Sequence, residues 1–404
     1  MARRAGWGVA DQALSSLTNF AIGFVAARTY SPTDLGAFAL VFAAYLIFLN
    51  AMRQLAIEPL LIRYSGSERQ RWRTAARDMT GLAVVFGLLG TAICLGAAVL
   101  LRGDLGAGLA ALALTLPGLL LQDAWRFAFF SIGEGHKAFL NDLLWAVVLF
   151  PCLAVVLAVR EVQLPVIIAI WGVAANVGAL AGVAQAGLWP APRRAVSWVR
   201  EHRDLAPAMT AESLIGMLGV QAAQFAIATV AGLSTVGSLR AAQLLLGPVF
   251  VLFQGAQLIA VPEGAALYQR GPRILWRGCL AYGGTWAVAV VLYGALVYAI
   301  PEQLGEFILK QNWAGAHEVL PTMTVAFVIA FLYSAATVGL RVLADARAIL
   351  RYGIAASIAQ FCLSVGGAAL GGAPLSALGN GIGNLAGTLP AWRRLWVQLH
   401  RPAS

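Results

Sequence analysis

The sequence predicts an all-α polytopic membrane protein, about twelve transmembrane helices in two six-helix bundles, and three observations carry that expectation. Of its 404 residues 60% are hydrophobic and only 11% are charged, against roughly 25% charged in ordinary soluble domains. Charge-free runs recur along the chain. The run Met79–Leu101 covers 23 residues, and at about 1.5 Å per residue it crosses a hydrocarbon core of about 30 Å. Finally, 21 of the 28 Lys and Arg fall in one alternate set of loops and termini, 3 in the other and 4 inside apolar segments. That asymmetry is the positive-inside rule, so the formal net charge of +10 reports orientation and not affinity for nucleic acid.

Taken in order, Arg3 and Arg4 place the N-terminus inside, a first helix runs to about Tyr30 and a second spans about 35–62. The N-terminal stretch has no small-residue cleavage site, so it reads as a retained helix. Arg63, Arg69, Arg71, Arg73 and Arg77 make a basic inner loop before helices at about 79–101 and 108–132. The inner loop GEGHKAFLND leads to helices at about 143–159 and 163–188, which flank an outer Arg160-Glu161. Pro190, Pro192 and Pro207 then interrupt the pattern. Between them, apolar Val196, Trp198 and Val199 alternate with Arg193, Arg194, Arg200 and Arg203, as in a short helix lying on inner headgroups. The expected organisation is therefore a bundle over 1–190, an interfacial linker over 191–207 and a second bundle over 208–404. The second bundle expects helices at about 208–232, 238–264, 280–300, 319–341, 352–370 and 374–392, with a seventeen-residue outer loop carrying Glu302, Glu306, Lys310 and Glu318.

The two halves echo one another. Asn19-Phe20-Ala21-Ile22 returns as Gln224-Phe225-Ala226-Ile227, and Leu35-Gly36 as Val236-Gly237. Asn50 and Pro59 are answered by Gln254 and Pro262, and the loop beginning Glu134-Gly135 by one beginning Asp345-Ala346. Six helices per half send both halves in from the same side, which puts the repeat axis along the membrane normal.

The opening DQALSSLTNF…AARTYSPTDLGAFAL and the later STVGSLRAAQLLLGP resemble polysaccharide exporters, the O-antigen-type flippases of the multidrug/oligosaccharidyl-lipid/polysaccharide (MOP) superfamily. That resemblance implies a MATE-like pair of bundles in the bacterial cytoplasmic membrane, both termini cytoplasmic. It also implies export of a polyprenyl-pyrophosphate-linked glycan by alternating access, without a resident cofactor. Membrane lipids, a glycan polymerase and glycosyltransferases are the partners it implies.

Polar groups inside the apolar segments are the candidate substrate contacts. Asp11, Gln12, Ser15 and Asn19 share one side of the first helix, either as a cavity-lining stripe or as hydrogen-bonding glue between helices. Asp11 alone could also be a helix cap. Arg53 and Glu58 lie in the second helix, Asp123 and Arg126 in the fourth. A charge at the bilayer centre costs at least about 2.5–3.5 kcal/mol, so each needs a partner or water. Asp123 and Arg126, spaced i, i+3, are able to neutralise one another. Alternatively, Arg53 and Arg126 grip an anionic pyrophosphate, with Arg240 as a second contact, because charge-assisted bonds to phosphate tolerate any attached sugar. Coupling to H⁺ or Na⁺ would fall to Asp11, Glu58 and Asp123. Glu212 and Glu263 read as interfacial caps, and Gly379, Gly383 and Gly387 as a ladder for close helix approach. The four cysteines stand singly, without metal-ligand spacing.

Among functions, a cation-coupled multidrug exporter is the mechanical alternative, disfavoured by the arginines. A membrane glycosyltransferase needs acids on sizeable outer loops, and here most outer loops are a few residues long.

Overall fold

The computed structural model describes residues 2–159, 162–204 and 206–400, and the side chains of these except 2–5, 9, 206–218 and 258. Arg160-Glu161 and the side chains of Arg3, Arg4 and Glu212 lie outside what is described. The chain is an all-helical polytopic membrane protein, and among the described residues nine helices are long and apolar enough to cross a membrane. By contacts it divides into two compact units, one of Met1–Tyr30 and Ala37–Leu214, the other of Ser31–Gly36 and Ile215–Ser404.

The first unit contains α1 (Ala2–Thr29), α2 (Pro32–Tyr64, from Ala37 on), α3 (Arg69–Leu101), α4 (Gly103–Ser131), α5 (Gly135–Ala158), α6 (Leu164–Ala186) and the short α7 (Ala195–Glu201). Within it α4 is central, packed on both α3 and α6, while α1 packs on α5. Lipid tails are as apolar as leucine, so these helices are held by close van der Waals fit and by polar contacts, not by expulsion of water. Accordingly α4 is buried on most sides, with Leu112, Leu116 and Leu120 along one face and Trp125 and Phe129 along another.

The second unit contains α8 (Ala206–Ala231), α9 (Leu233–Arg270), α10 (Pro272–Tyr298), α11 (Glu302–Leu309), α12 (Trp313–Val342) and α13 (Ala346–Leu399). Here α12 takes the central place, against α9, α10 and α13. Phe253 of α9 and Phe331 of α12 meet with ring centroids 4.0 Å apart. The 54-residue α13 is two helices, broken where Gly371 and Gly372 leave helical geometry and Gly372 takes φ 64°, a conformation open to glycine at little cost. Its two limbs fold back on each other along the glycine ladder. A Cβ on Gly379 would strike the Leu363 carbonyl, and one on Gly383 the Gln360 backbone. The stretch Ser31–Gly36, grouped with this unit, shows why one echo is glycine twice. A side chain on Gly36 would collide with the Leu233 carbonyl, and one on Gly237 with that of Pro32.

Several expected loops are helix. Arg69, Arg71, Arg73 and Arg77 form the first turns of α3, and Arg347 and Arg351 those of α13. Arginine is a good helix former, so a basic stretch continues a helix beyond its apolar span. The seventeen-residue outer loop is mostly the short α11 and the start of α12. Glu263 lies inside α9, which continues to Arg270, so it caps nothing.

The linker expected over 191–207 is packed on the first unit. The Ala191 N–H donates to the Arg77 carbonyl at 2.9 Å, and Arg194 pairs with Asp78 at 3.3 Å. Trp198 is 1% exposed while Val196 is 70% exposed. Its tryptophan thus turns into protein, where the indole N–H has a partner.

The echoed acids start corresponding helices. Glu134, before α5, pairs with Arg69 and with Lys137 at 2.9 Å. Asp345, before α13, accepts the Ala348 N–H at 3.2 Å and pairs with Arg394 at 2.8 Å. Burial pushes the Glu134 carboxyl up, but the bonds and charges of Lys137 and Arg69 outweigh it and hold it below its ordinary 4.5. The bond from Arg394 holds Asp345 below 3.8.

Two outcomes follow. Gly379→Ala is expected to destabilise the protein by about 1–3 kcal/mol through overpacking. Gly366→Ala, where a Cβ meets nothing within 4 Å, should not, as thermal unfolding in detergent would show. Because both carboxyls titrate lower when folded, their contribution is present above the ordinary values and is lost as pH falls through the folded ones. Acidifying from pH 6 to 3 should therefore lower the wild-type unfolding temperature more than that of the double variant Glu134→Gln/Asp345→Asn.

Candidate functional site

The polar centre of the first unit is built from four helices, and a local irregularity in α2 sets its edge. Residues Arg53–Ile57 form a π-turn, with the Glu58 N–H donating to the Arg53 carbonyl five residues back. Pro59 follows at once and has no N–H to offer the preceding turn. A π-turn inside an α-helix rotates the residues beyond it and is common at functional sites. Arg53 sits where that rotation begins.

Asp123 of α4 receives Arg53 with both oxygens. Arg53 Nε donates at 2.7 Å and Nη2 at 2.6 Å, the planar fork geometry that makes such pairs strong. The Arg53 guanidinium also lies over the Phe127 ring, 5.1 Å from its centroid. The Asp123 side chain is 6% exposed, yet that of Arg53 is 30% exposed. Nε and Nη2 are thus oriented by Asp123, in a side chain that is not fully enclosed.

One turn further along α4, Arg126 is enclosed. Its Nε donates to Asp11 Oδ2 of α1 at 2.5 Å and its Nη2 to Gln12 Oε1 at 3.2 Å. Asp142 of α5 approaches Nε at 3.5 Å. Gln122 then ties the α5 pair, donating to Asp142 Oδ1 at 2.6 Å and to Asn141 Oδ1 at 3.1 Å. Asn141 in turn donates to the Gly178 carbonyl of α6 at 2.7 Å. Among the described residues this cluster holds three carboxylates, Asp11, Asp123 and Asp142, against two guanidiniums, Arg53 and Arg126. Asp11 Oδ1 and Asp142 Oδ2 are buried and accept no hydrogen bond among the described residues.

Several expectations change here. Asp123 and Arg126 do not neutralise one another; each finds its strongest partner on a neighbouring helix. The reason is geometric, since a bidentate fork needs a carboxylate facing it across a helix–helix gap. Asp11 caps nothing, because α1 begins nine residues earlier, at Ala2. The stripe on α1 splits. Asp11 is fully buried, Gln12 is exposed, and Asn19 donates to the Ser15 carbonyl of its own helix at 2.8 Å. Glu58 is half-buried just past the π-turn, and Arg240 is half-buried in α9 of the second unit.

Asn141 and Asp142 were missed because the polar run from Glu134 to Asp142 reads as loop. The usable signal was Glu134 as a helix start, which puts both residues on the second turn of α5, with apolar residues flanking them.

No family model and no curated protein sequence matches the chain. Solved structures do. The chain is similar to an inward-facing multidrug resistance MATE family transporter of the MOP superfamily, with 14% identity, 96% of this chain and 94% of that one covered, and a TM-score of 0.74. The fold is that of the MATE family transporters. An outward-facing structure of such a transporter aligns over 97% of this chain and 94% of its own at 14% identity, TM-score 0.63. A MOP superfamily transporter from Pyrococcus furiosus, described as having a binding pocket of reversed polarity, aligns over 97% and 94% at 14% identity, TM-score 0.59. At these identities the likeness establishes the fold and leaves the charged cluster to be read by itself.

Breaking a buried ion pair by removing one partner costs about 3–5 kcal/mol. Arg126→Gln, which leaves Asp11 and Asp142 buried together, should show a loss of that order in thermal unfolding. Arg53→Gln, at the accessible edge, should lose less.

Proposed function

We propose that the chain exports a polyprenyl-pyrophosphate-linked glycan across the bacterial cytoplasmic membrane by alternating access, with both termini cytoplasmic and Arg53 as the first contact for the pyrophosphate. The carrying observation is the fork of Arg53, seated on both oxygens of Asp123 in a side chain that keeps 30% exposure inside a spanning helix. An accessible charge inside a spanning helix requires water or a counter-ion at its open side. Guanidinium suits phosphate oxygens and is indifferent to the sugar they carry. A negative headgroup can add to Arg53 there, or displace Asp123 in a carboxylate-for-phosphate exchange.

Arg126 then has a narrower part than a direct grip. Enclosed by Asp11 and Asp142, it holds the fourth helix in register with the first and fifth, while Gln12 extends the polar edge. Asn19 and Glu58 border the same helices. The carboxylate left without a guanidinium is where a coupling H⁺ or Na⁺ would exchange, with Asp142 joining Asp11, Asp123 and Glu58 as candidates. Glycosyltransferases that build the cargo and a polymerase that consumes it are the partners this reading requires, in a bilayer that supplies the carrier lipid.

One observation favours a second reading, a cation-coupled multidrug exporter. The excess carboxylate could serve a cationic cargo, and the inward-facing and outward-facing structural neighbours are multidrug resistance transporters. For the Pyrococcus furiosus neighbour a binding pocket of reversed polarity suggests a different function, so cargo charge has to be read from the residues. Here the partly exposed guanidinium of Arg53 favours an anion.

In proteoliposomes carrying a fluorescent polyprenyl-pyrophosphate disaccharide, wild type should translocate the lipid. Arg53→Gln should be slower by at least about tenfold, the loss of one charge-assisted contact, at equal reconstituted amounts, with Arg53→Lys intermediate. Unimpaired translocation by Arg53→Gln, or transport of lipophilic cations in place of the lipid, would overturn the assignment.

A further inference from the structure

A helix carbonyl left without its α-helical donor sits next to Arg53, and a side chain from outside the spanning helices serves it. In α2 the α-helical donor to the Leu55 carbonyl would be residue 59, a proline. Leu55 lies within the π-turn that Arg53 opens. The Trp198 indole N–H of α7 donates to that carbonyl at 3.2 Å. Trp198 is 1% exposed, its ring stacks on Tyr64 at the end of α2 with centroids 5.9 Å apart, and His202 covers it at 4.1 Å. The His202 Nδ1 meets the Trp198 carbonyl at 2.8 Å, which closes α7 on itself. Further along, Arg63 of α2 pairs with Asp204 and donates to the Glu201 carbonyl at 3.1 Å. The segment that leads out of α6 is therefore fastened to α2 at three levels: the π-turn, the aromatic stack and the helix end.

We propose that Trp198 is a positioning residue for the anion site: its indole N–H replaces the donor that Pro59 lacks, fixes the π-turn and so sets where the Arg53 guanidinium stands. The inference rests on the reading of Arg53 as the pyrophosphate contact. Without the bond, Leu55 O is left unsatisfied inside the unit, and the π-turn can relax toward regular α-helix. That relaxation removes the extra residue per turn and rotates Arg53 about the helix axis, away from the two-oxygen seat on Asp123. The ring of Trp198 fills space, but only its N–H supports the turn. A phenylalanine keeps most of the packing and none of the donor.

The test is a double-mutant cycle of Trp198→Phe with Pro59→Ala, which returns an N–H to the Leu55 carbonyl. It is read by the affinity of detergent-solubilised full chain for geranylgeranyl pyrophosphate and by hydrogen exchange of the amides of residues 53–61. With Pro59 present, W198F is expected to weaken binding about three- to tenfold, the scale of one hydrogen bond, and to speed exchange across the π-turn. With P59A, the same substitution should change neither. Equal losses in both backgrounds, or no loss in either, overturn the proposal. Should W198F alone fail to fold, recovery of folded, binding-competent protein in W198F/P59A supports it, and failure of both overturns it. The exchange readout is independent of cargo. If Arg53→Gln leaves pyrophosphate binding intact, the functional reading falls, while the exchange cycle still reports whether Trp198 holds the turn.

Discussion

The contact between Arg126 and Asp11 is the constraint on which the first unit depends. Neither charge can stay unpaired at that depth, and the side chains are 9% and 0% exposed. Their pairing fixes α4 against α1. Asp142 on Arg126, and Gln122 on Asp142 and Asn141, extend the same constraint to α5, and Asn141 reaches α6 through the Gly178 carbonyl. Four helices that lipid would otherwise solvate equally well are thus given one register by a single connected set of polar groups. Asp123 sits on the same α4, one turn from Arg126, and seats Arg53 of α2, so the outer cation inherits its placement from the enclosed one.

Much of the scaffold was legible because its signals are local. Charge-free runs, proline and glycine breaks and the alternation of basic loops each act within one helix, and each expected crossing corresponds to a helix, down to the break at Gly371-Gly372. Pairing between helices was not legible. Asp123 and Arg126 are three residues apart, and spacing alone favours their mutual bond, yet partners seventy and 115 residues away prevail. Such a choice is made by how helices rotate against one another, which no single segment records. Trp198 shows the same limit. Its place in an Arg-rich stretch reads as a membrane-surface residue, while its partners are the Leu55 carbonyl and the Tyr64 ring of a distant helix.

The two halves repeat their architecture without repeating their charges. In both, the fourth long helix is central and the Glu134 and Asp345 positions start a helix, and Gly36 and Gly237 both avoid a carbonyl. Where α4 carries Gln122, Asp123 and Arg126, the middle of α12 carries Phe331, Ser334 and Ala335, with Ser334 accepting from Gln257 at 2.9 Å. Duplicated positions are those that packing and helix starts dictate. The charged cluster of Asp123 and Arg126 belongs to one copy, as expected if packing preserves the shape of both halves and chemistry specialises one.

That division bears on how cargo could be chosen within a common fold. A helix bundle in lipid gains little from burying one more apolar residue, because the surrounding solvent is equally apolar. Polar and charged substitutions therefore alter recognition at large energetic effect, while apolar ones alter it slightly. A single guanidinium, held on a carboxylate at one side and backed by the Phe127 ring, places a positive group among the carboxylates of the cluster. Its cost is met only if the helix carrying it is held in place, which is why the π-turn, Pro59 and the donor from α7 occur together beside Arg53 and not elsewhere along α2.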